Sequence, residues 1–228
     1  MKREIKTTAD GSKTIFIDEL QEGYHSHNGA LQEAEHVFIK NGINKVKNYE
    51  INILELGFGT GLNALVTINE FLKNDKNHII NYFTLEKYPV NNEEFVELNY
   101  AKHFTFENAQ EIYQKIHELE WNKTHEILPN FFFTKYNLDF FKIKEINLPA
   151  INLVYYDCFG AKVQPDLWEK PLFEMVRNKM STGGLLTTYS SKGSVRRILK
   201  ELNFEVTKLE GPKGKREMIN AVLQNEGS

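Results

Sequence analysis

Residues 55–61 read Glu55-Leu56-Gly57-Phe58-Gly59-Thr60-Gly61 and hold the first chemistry of the chain. They follow the apolar run Ile51-Asn52-Ile53-Leu54, and Leu62-Asn63-Ala64-Leu65-Val66 then opens a helix. Strand, glycine turn and helix in that order let the backbone turn tightly and let a ligand approach the main chain. The spacing is G-x-G-x-G after an acid, rather than the G-x-G-x-x-G of dinucleotide sites. Glu55, two residues before Gly57, suits a ligand with positive charge near the turn. S-adenosylmethionine (SAM), with its ammonium and sulfonium groups, is such a ligand. Gly57, Gly59 and Gly61 taken alone would equally serve a structural turn; the strand before and the helix after favour the ligand.

Ligands of open α/β sheets sit beyond the carboxyl ends of the strands, and three further strand ends carry polar residues. Glu86 ends Ile79–Leu85, where a carboxylate can accept both hydroxyls of a ribose. Its alternative is a surface acid paired with Lys87. After Phe131–Tyr136, Asn137 or Asp139 can hydrogen-bond an adenine amine, and either can cap the following turn instead. Asp157 ends Ile151–Tyr156, where a methyl acceptor would sit, unless it is a turn or N-cap aspartate. Phe159 either stacks a base or belongs to the core. Cys158 has the chemistry of a pyrimidine nucleophile, but a lone cysteine is more often a small buried hydrophobe. His25, His27 and His36 have no completing cysteine or acid cluster; no metal is expected, and a polar lid over the ligand fits them better.

The elements that must position these residues follow from hydrophobic spacing. Arg3–Thr8 and Lys13–Ile17 flank Asp10-Gly11 as a β-hairpin. Leu31–Lys40 reads as a helix with Gly42 past its end. Strands are expected at 51–56, 79–85, 131–136, 151–156, 185–189, 204–209 and 218–223. Helices are expected at 62–72, 92–98, 109–120, 168–180 (closed by Gly183-Gly184) and 194–202. Strands alternating with helices predict a mostly parallel sheet of seven strands. The last two, joined through Gly211–Gly214, predict an antiparallel hairpin at one edge. This α/β pattern resembles the class I SAM-dependent methyltransferase fold, Rossmann-like, over 51–228. Residues 1–50 form an N-terminal hairpin, loop and helix extension over the ligand edge.

Composition agrees with one such domain. The chain has 228 residues, 41% hydrophobic and 12% aromatic, enough for a proper core. No apolar run approaches the roughly 20 residues of a membrane span. The N-terminus lacks the apolar stretch of a signal peptide, and a single cysteine excludes an internal disulfide framework. A cytoplasmic protein is expected. A net charge of −3 gives no global attraction to nucleic acid. Lys192, Arg196, Arg197, Lys200, Lys208, Lys213, Lys215 and Arg216 nonetheless crowd the C-terminal part. They are either a dock for an anionic partner or a solvated helix face.

The segments Tyr24–Phe38, Glu55–Asn63, Glu86-Lys87-Tyr88-Pro89, Asp157–Trp168, Tyr189–Arg197 and Gly214–Met218 occur in an order that resembles the methyltransferase domain of the MnmC family. The D-x-F…P-x-x-W, S-x-x-G-x-V-R-R and K-R-E-M portions are the specific ones. The resemblance implies methylation of the aminomethyl group on a tRNA wobble uridine, giving 5-methylaminomethyl-2-thiouridine. It implies the single-domain form, without the FAD-dependent oxidase domain and so without FAD. Other enzymes would then supply aminomethyl-uridine on the same tRNA.

It also implies SAM contacts for Tyr24, Asn63 and Lys87 beside Glu55, Gly57, Gly59, Gly61 and Glu86, with Asp157 catalytic. Phe159 would wall the base, and Lys215 and Arg216 would meet phosphates of the anticodon stem-loop. The family commonly has an acid where Asn137 stands. With an ordinary carboxylate pKa of about 3.9, Asp157 is expected to orient the amine rather than to deprotonate it. The other expectations that fit the residues are a methyltransferase or aminopropyltransferase for a small amine, and a silent SAM- or tRNA-binding module.

Overall fold

The computed structural model describes residues 2–73 and 78–225. Among these, eleven strands form two sheets. The small sheet comprises β1 (Arg3–Thr7), β2 (Lys13–Ile17) and β3 (Glu22–Gly23), all antiparallel. The helix α1 (Ala30–Ala34) follows and continues as a π-helical stretch, Glu35–Lys40. Gly42 ends it for a steric reason. A Cβ there would stand 2.2 Å from the carbonyl oxygen of Phe38.

The large sheet begins with β4 (Glu50–Leu56), then α2 (Leu62–Lys73) and β5 (Ile79–Leu85). The helix α3 (Asn92–Leu98) starts at a reciprocal cap: Glu94 N–H donates to Asn91 Oδ1, and Asn91 N–H donates to Glu94 Oε2. Then come α4 (Ala109–Glu118), β6 (Thr124–Leu128), β7 (Phe131–Tyr136) and β8 (Ile151–Tyr156). The chain closes with α5 (Lys170–Arg177), β9 (Met180–Thr188), α6 (Gly193–Glu201), β10 (Phe204–Glu210) and β11 (Glu217–Leu223).

The strand order is β10-β11-β9-β8-β4-β5-β7-β6. β9, β8, β4, β5 and β7 run parallel; β11 and β10 add antiparallel at one edge and β6 at the other. From β4 the chain moves outward through β5, then returns to place β8 on the other side of β4. That reversal opens a crevice at the carboxyl ends of β4 and β8. Apolar clusters cover both faces of the sheet. The small sheet lies against α3, held by the Arg3–Glu94 ion pair at 2.9 Å and by Tyr100, whose hydroxyl donates to Lys13 O.

One row across the large sheet is polar. Asn220, Thr187, Tyr155, Glu55, Thr84 and Lys135 are register neighbours on β11, β9, β8, β4, β5 and β7, and all are buried. Most of them reach the covering layer. Asn220 Nδ2 donates to Asn41 O (2.7 Å), Thr187 Oγ1 to Val37 O (3.1 Å) and Lys135 Nζ to His117 O (2.5 Å). Tyr155 shares a hydroxyl contact with Thr67 on α2.

Three expectations change. The sheet has an eighth strand, β6, in which only Ile127 is buried, so no alternating pattern marks it. The helix expected over 168–180 is a 3-10 turn, Pro165–Trp168, followed by α5. Pro171 has no N–H and suits only a first helical turn, which sets the start at Lys170. Gly183-Gly184 lie inside β9, at a break in register with β8, rather than beyond a helix. Gly183 has φ +78°, and a Cβ on Gly184 would stand 2.8 Å from Ser181 O.

Gly42→Ala is expected to destabilise the fold by about 1–3 kcal/mol, the usual cost of overpacking. Thermal unfolding checks this; an unchanged Tm would show that the helix end can relax around the methyl group.

Candidate active site

The loop after β4 and the loop after β8 touch. Gly57 has φ +102°, and a Cβ there would lie 3.0 Å from the carbonyl oxygen of Asp157. Gly59, at φ +50°, presses on the ring of Tyr24, where a Cβ would also be 3.0 Å away. Gly61 faces the opposite way, against His117 and Phe58. The turn is held from β5: Gly57 and Phe58 N–H donate to Leu85 O, and Gly59 N–H donates to Glu86 Oε2 at 3.0 Å. Glu86 Oε1 accepts from Tyr88 N–H at 2.7 Å. An ionised carboxylate has lone pairs left after two such bonds, so Glu86 can still receive hydroxyl donors.

The Asp157-Cys158-Phe159 loop is held by aromatic residues. Tyr189 OH donates to Cys158 O (2.8 Å), and Trp168 Nε1 donates to Phe159 O (2.7 Å). Asn63, on the first turn of α2, donates from Nδ2 to Asp157 Oδ2 at 2.8 Å. Burial raises the Asp157 pKa to about 7. The Asn63 hydrogen bond opposes the rise, the charge of Glu33 adds to it, and Lys215 weakly opposes it. That value corrects the expectation of an ordinary carboxylate. Asp157 can exchange a proton near neutral pH, the range that suits a general base. Cys158 is buried, and burial drives its thiol pKa upward, so it stays a thiol rather than a nucleophilic thiolate.

Two cavities meet at this loop. The first is lined by Gly57, Gly59, Asn63, Glu86, Lys87, Asp139, Phe140, Phe141 and Asp157. The second lies between the Gly23–Asn28 loop and the C-terminal turn, and its lining includes Thr14, Ser26, Glu33, Tyr189, Gly214 and Lys215. Tyr24, His25, Asp157, Cys158 and Phe159 belong to both. The rings of Tyr24 and Phe159 meet edge-on at 5.0 Å. His25 shares a 2.6 Å hydrogen bond with Thr60, and burial lowers its pKa to about 4, so it is neutral.

Most of the expected site residues therefore converge, with exceptions. Glu55 is 0% exposed and lies beneath the cavity, outside its wall. Asn137 is turned away, its amide donating to Glu86 O, whereas Asp139 reaches the wall and pairs with Lys87 at 2.9 Å. Lys215 is not an exposed cation. It pairs with the buried Glu33 and sits 3.8 Å over the ring of Tyr189, facing the second cavity. Arg216 is exposed in a neighbouring groove with Lys40 and Lys213. On α6, Val195 and Leu199 are buried while Arg197 and Lys200 face solvent. His36 is committed to Glu210 O, and His27 is exposed. Sequence reasoning missed Phe140, Phe141 and Glu33. The first two directly follow Asp139 at a strand end, which was the available signal; nothing local marks Glu33.

Comparison with known proteins gives a consistent picture. The model of a family described as S-adenosyl-L-methionine-dependent methyltransferase matches residues 104–224, more than half of the chain. The tRNA 5-methylaminomethyl-2-thiouridine biosynthesis bifunctional protein MnmC of Leptospira interrogans is 29% identical over 221 residues, covering 90% of this chain and 33% of that protein. The protein of the same name from Pseudoalteromonas atlantica is 28% identical, covering 98% of this chain and 34% of its own length. The chain thus spans about a third of the length of these curated relatives. The crystal structure of MNMC2 from Aquifex aeolicus superimposes with a TM-score of 0.77 at 26% identity, covering 97% of this chain and 70% of that one. The fold is that of class I SAM-dependent methyltransferases.

The raised Asp157 pKa has a consequence for stability. A carboxyl whose folded pKa of about 7 exceeds its ordinary value of 3.8 binds its proton more tightly when folded. Stability is therefore lost as pH rises through that window, and the loss is complete above it. Asp157→Asn removes the ionisation and should raise Tm relative to wild type at pH 8, with the gain vanishing below about pH 4. A difference in Tm that does not vary with pH would contradict the raised pKa.

Proposed function

The chain belongs to the S-adenosyl-L-methionine-dependent methyltransferase family, and we propose that within it the protein methylates the aminomethyl nitrogen of a tRNA wobble uridine. The product would be 5-methylaminomethyl-(2-thio)uridine, the modification named for its MnmC relatives. One observation carries this reading: two cavities of different lining open on the same carboxylate, Asp157.

The first cavity fits SAM. Gly57 and Gly59 bring main chain to its edge, Glu86 offers carboxylate oxygens for ribose hydroxyls, and Asp139 can accept from an adenine amine. Asp139, rather than Asn137, takes that role in this reading. Glu86 and Lys87 close the rim with Tyr88. The second cavity suits a flat base carrying an amine. Phe159 and Tyr189 supply aromatic walls, and Lys215 and Glu33 supply polar ones.

SAM supplies an activated methyl group on sulfur; the chain's residues supply position and a proton acceptor. Asn63 fixes the Asp157 carboxylate, and Asp157 accepts an amine N–H, which leaves the nitrogen lone pair directed at the first cavity. As the N–C bond forms, the methyl–sulfur bond breaks with its electron pair left on sulfur, so the sulfonium leaves as a neutral thioether and the nitrogen becomes positively charged. Asp157, with its pKa near 7, takes the released proton. No electron is exchanged with a third party, so the transfer as written calls for no FAD. Extruding a base from a single-stranded anticodon loop costs little. Arg216, with Lys213 and Lys40 beside it, offers the phosphates of that stem-loop a basic groove. A tRNA substrate places the enzyme in the cytoplasm and makes it dependent on enzymes that install aminomethyl-uridine.

The test is incubation with methyl-labelled SAM and tRNA bearing aminomethyl-uridine, followed by nucleoside analysis. Label should appear in methylaminomethyl-uridine, and Asp157→Ala should lower turnover about 100-fold or more, as loss of a general base does. Label in 5-methyluridine, or only in small amines, would overturn the reading. Arg216→Ala should weaken tRNA binding and reduce the slope of log affinity against log salt by about one contact. An unchanged slope would remove Arg216 from the tRNA path.

A further inference from the structure

Three buried polar atoms beneath the glycine turn have no hydrogen-bond partner among the described residues: Glu55 Oε1, Asn63 Oδ1 and Tyr82 OH. They belong to one cluster. Glu55 stands in the sheet beside Thr84 on β5 and Tyr155 on β8. Its other oxygen is satisfied, because Thr84 Oγ1 donates to Oε2 at 2.7 Å. Asn63 directs an amide N–H to Asp157. Two acceptors are thus left without a donor, and one hydroxyl is left without an acceptor. A single proton on Glu55 Oε1 answers all three: the new O–H donates to Asn63 Oδ1, and its oxygen accepts from Tyr82 OH.

The charges around Glu55 point the same way. From β5 it faces Tyr82 and Thr84, from β8 Tyr155 and Asp157, and from α2 Asn63. None of these is a cation, and Asp157 is a second acid. We propose that Glu55 works as a neutral carboxylic acid whose O–H holds Asn63 Oδ1, so that Asn63 presents its amide N–H to Asp157. Glu55 is then a positioning residue for the acceptor carboxylate rather than the counter-ion of the SAM ammonium. Burial raises its pKa to about 8; the Thr84 hydroxyl, Asn63 and Tyr82 oppose the rise and Asp157 adds to it. Above that pH an ionised Glu55 would attract the Asn63 NH2 group. Asn63 would rotate and turn its carbonyl oxygen, an acceptor, toward Asp157.

The inference rests on SAM-dependent methyl transfer being the activity, so part of its test is independent of the methyl acceptor. Turnover is measured against pH for wild type, Glu55→Gln and Glu55→Ala, and SAM binding by calorimetry for each. Glutamine keeps a donor for Asn63 and an acceptor for Thr84 but cannot ionise. Wild-type kcat should fall above about pH 8, Glu55→Ala should cost about 10–100-fold, and Glu55→Gln should recover most of that loss without the alkaline fall. SAM affinity should stay within about threefold in all of them, since Glu55 lies outside the wall of the first cavity. A roughly tenfold loss of SAM affinity in Glu55→Gln would mean that an anionic Glu55 holds the ligand, and would overturn the proposal. Should Glu55→Ala fail to fold, infrared spectra of glutamate-labelled Asp157→Asn protein decide. A protonated glutamate band at neutral pH, lost on adding Glu55→Gln, supports a neutral Glu55; its absence refutes it. These spectra and the calorimetry keep their meaning even if the tRNA substrate is wrong.

Discussion

The structure depends on the approach of two backbones at one point, Gly57 against the carbonyl of Asp157. β4 and β8 are parallel neighbours whose connections leave in opposite directions, so their end loops would ordinarily splay apart. A glycine with φ +102° lets the β4 loop fold back until only a hydrogen fits between it and Asp157 O. That contact fixes the distance between the glycine turn and the Asp157 carboxylate. The Asn63–Asp157 hydrogen bond crosses the same gap from the helix that the turn opens. A side chain at position 57 would sit in a strained backbone conformation and press on Asp157 O until that carbonyl gave way by a few tenths of an ångström.

One layer below, the row Asn220–Thr187–Tyr155–Glu55–Thr84–Lys135 gives the covering helices their register. Apolar packing drives the helices onto the sheet but has no direction. Buried hydrogen bonds from sheet side chains to Asn41 O, Val37 O and His117 O do have direction. Each contributes a net 0.5–1.5 kcal/mol or so, while an unmade bond costs about 1–3 kcal/mol, so misalignment is penalised more than alignment is rewarded. The row lies between the apolar interior and the ligand edge. The Tyr155–Thr67 hydroxyl contact joins this row to α2, the helix that carries Asn63 on its first turn.

Much of the fold was legible because strand ends announced themselves. Apolar runs stopped at Gly57, Glu86, Asn137 and Asp157, and the alternation with helices implied a parallel sheet. What stayed hidden had weak local signals. β6 buries one side chain, and Gly183-Gly184 looked like a helix stop because a bulge inside a strand also selects glycine. The site was legible in position more than in direction. Spacing put Glu55 beside the glycine turn, but strand alternation faces it toward α2, in the row of Thr84 and Tyr155. Asn137 and Asp139 differ by two residues, and only the turn after β7 decides which one reaches the wall. The Asp157 pKa was beyond any local reading, since burial by distant elements and the charge of Glu33 on α1 set it.

The division of labour between sheet and extensions explains how one fold can be directed at one acceptor. The first cavity is built largely from loops that close the large sheet. The second cavity is walled by the two ends of the chain. The Gly23–Asn28 loop meets the C-terminal turn so tightly that a Cβ on Gly214 would overlap the Asn28 amide. Lys215 spans the junction to Glu33, and both groups act on the acidity of Asp157. In the proposed reading, acceptor choice and acceptor deprotonation are therefore physically linked. A change in the chain ends that reshapes the pocket also moves the two charges that act on Asp157, whereas the first cavity, with Gly57, Gly59 and Glu86 in its wall, would be left largely as it was.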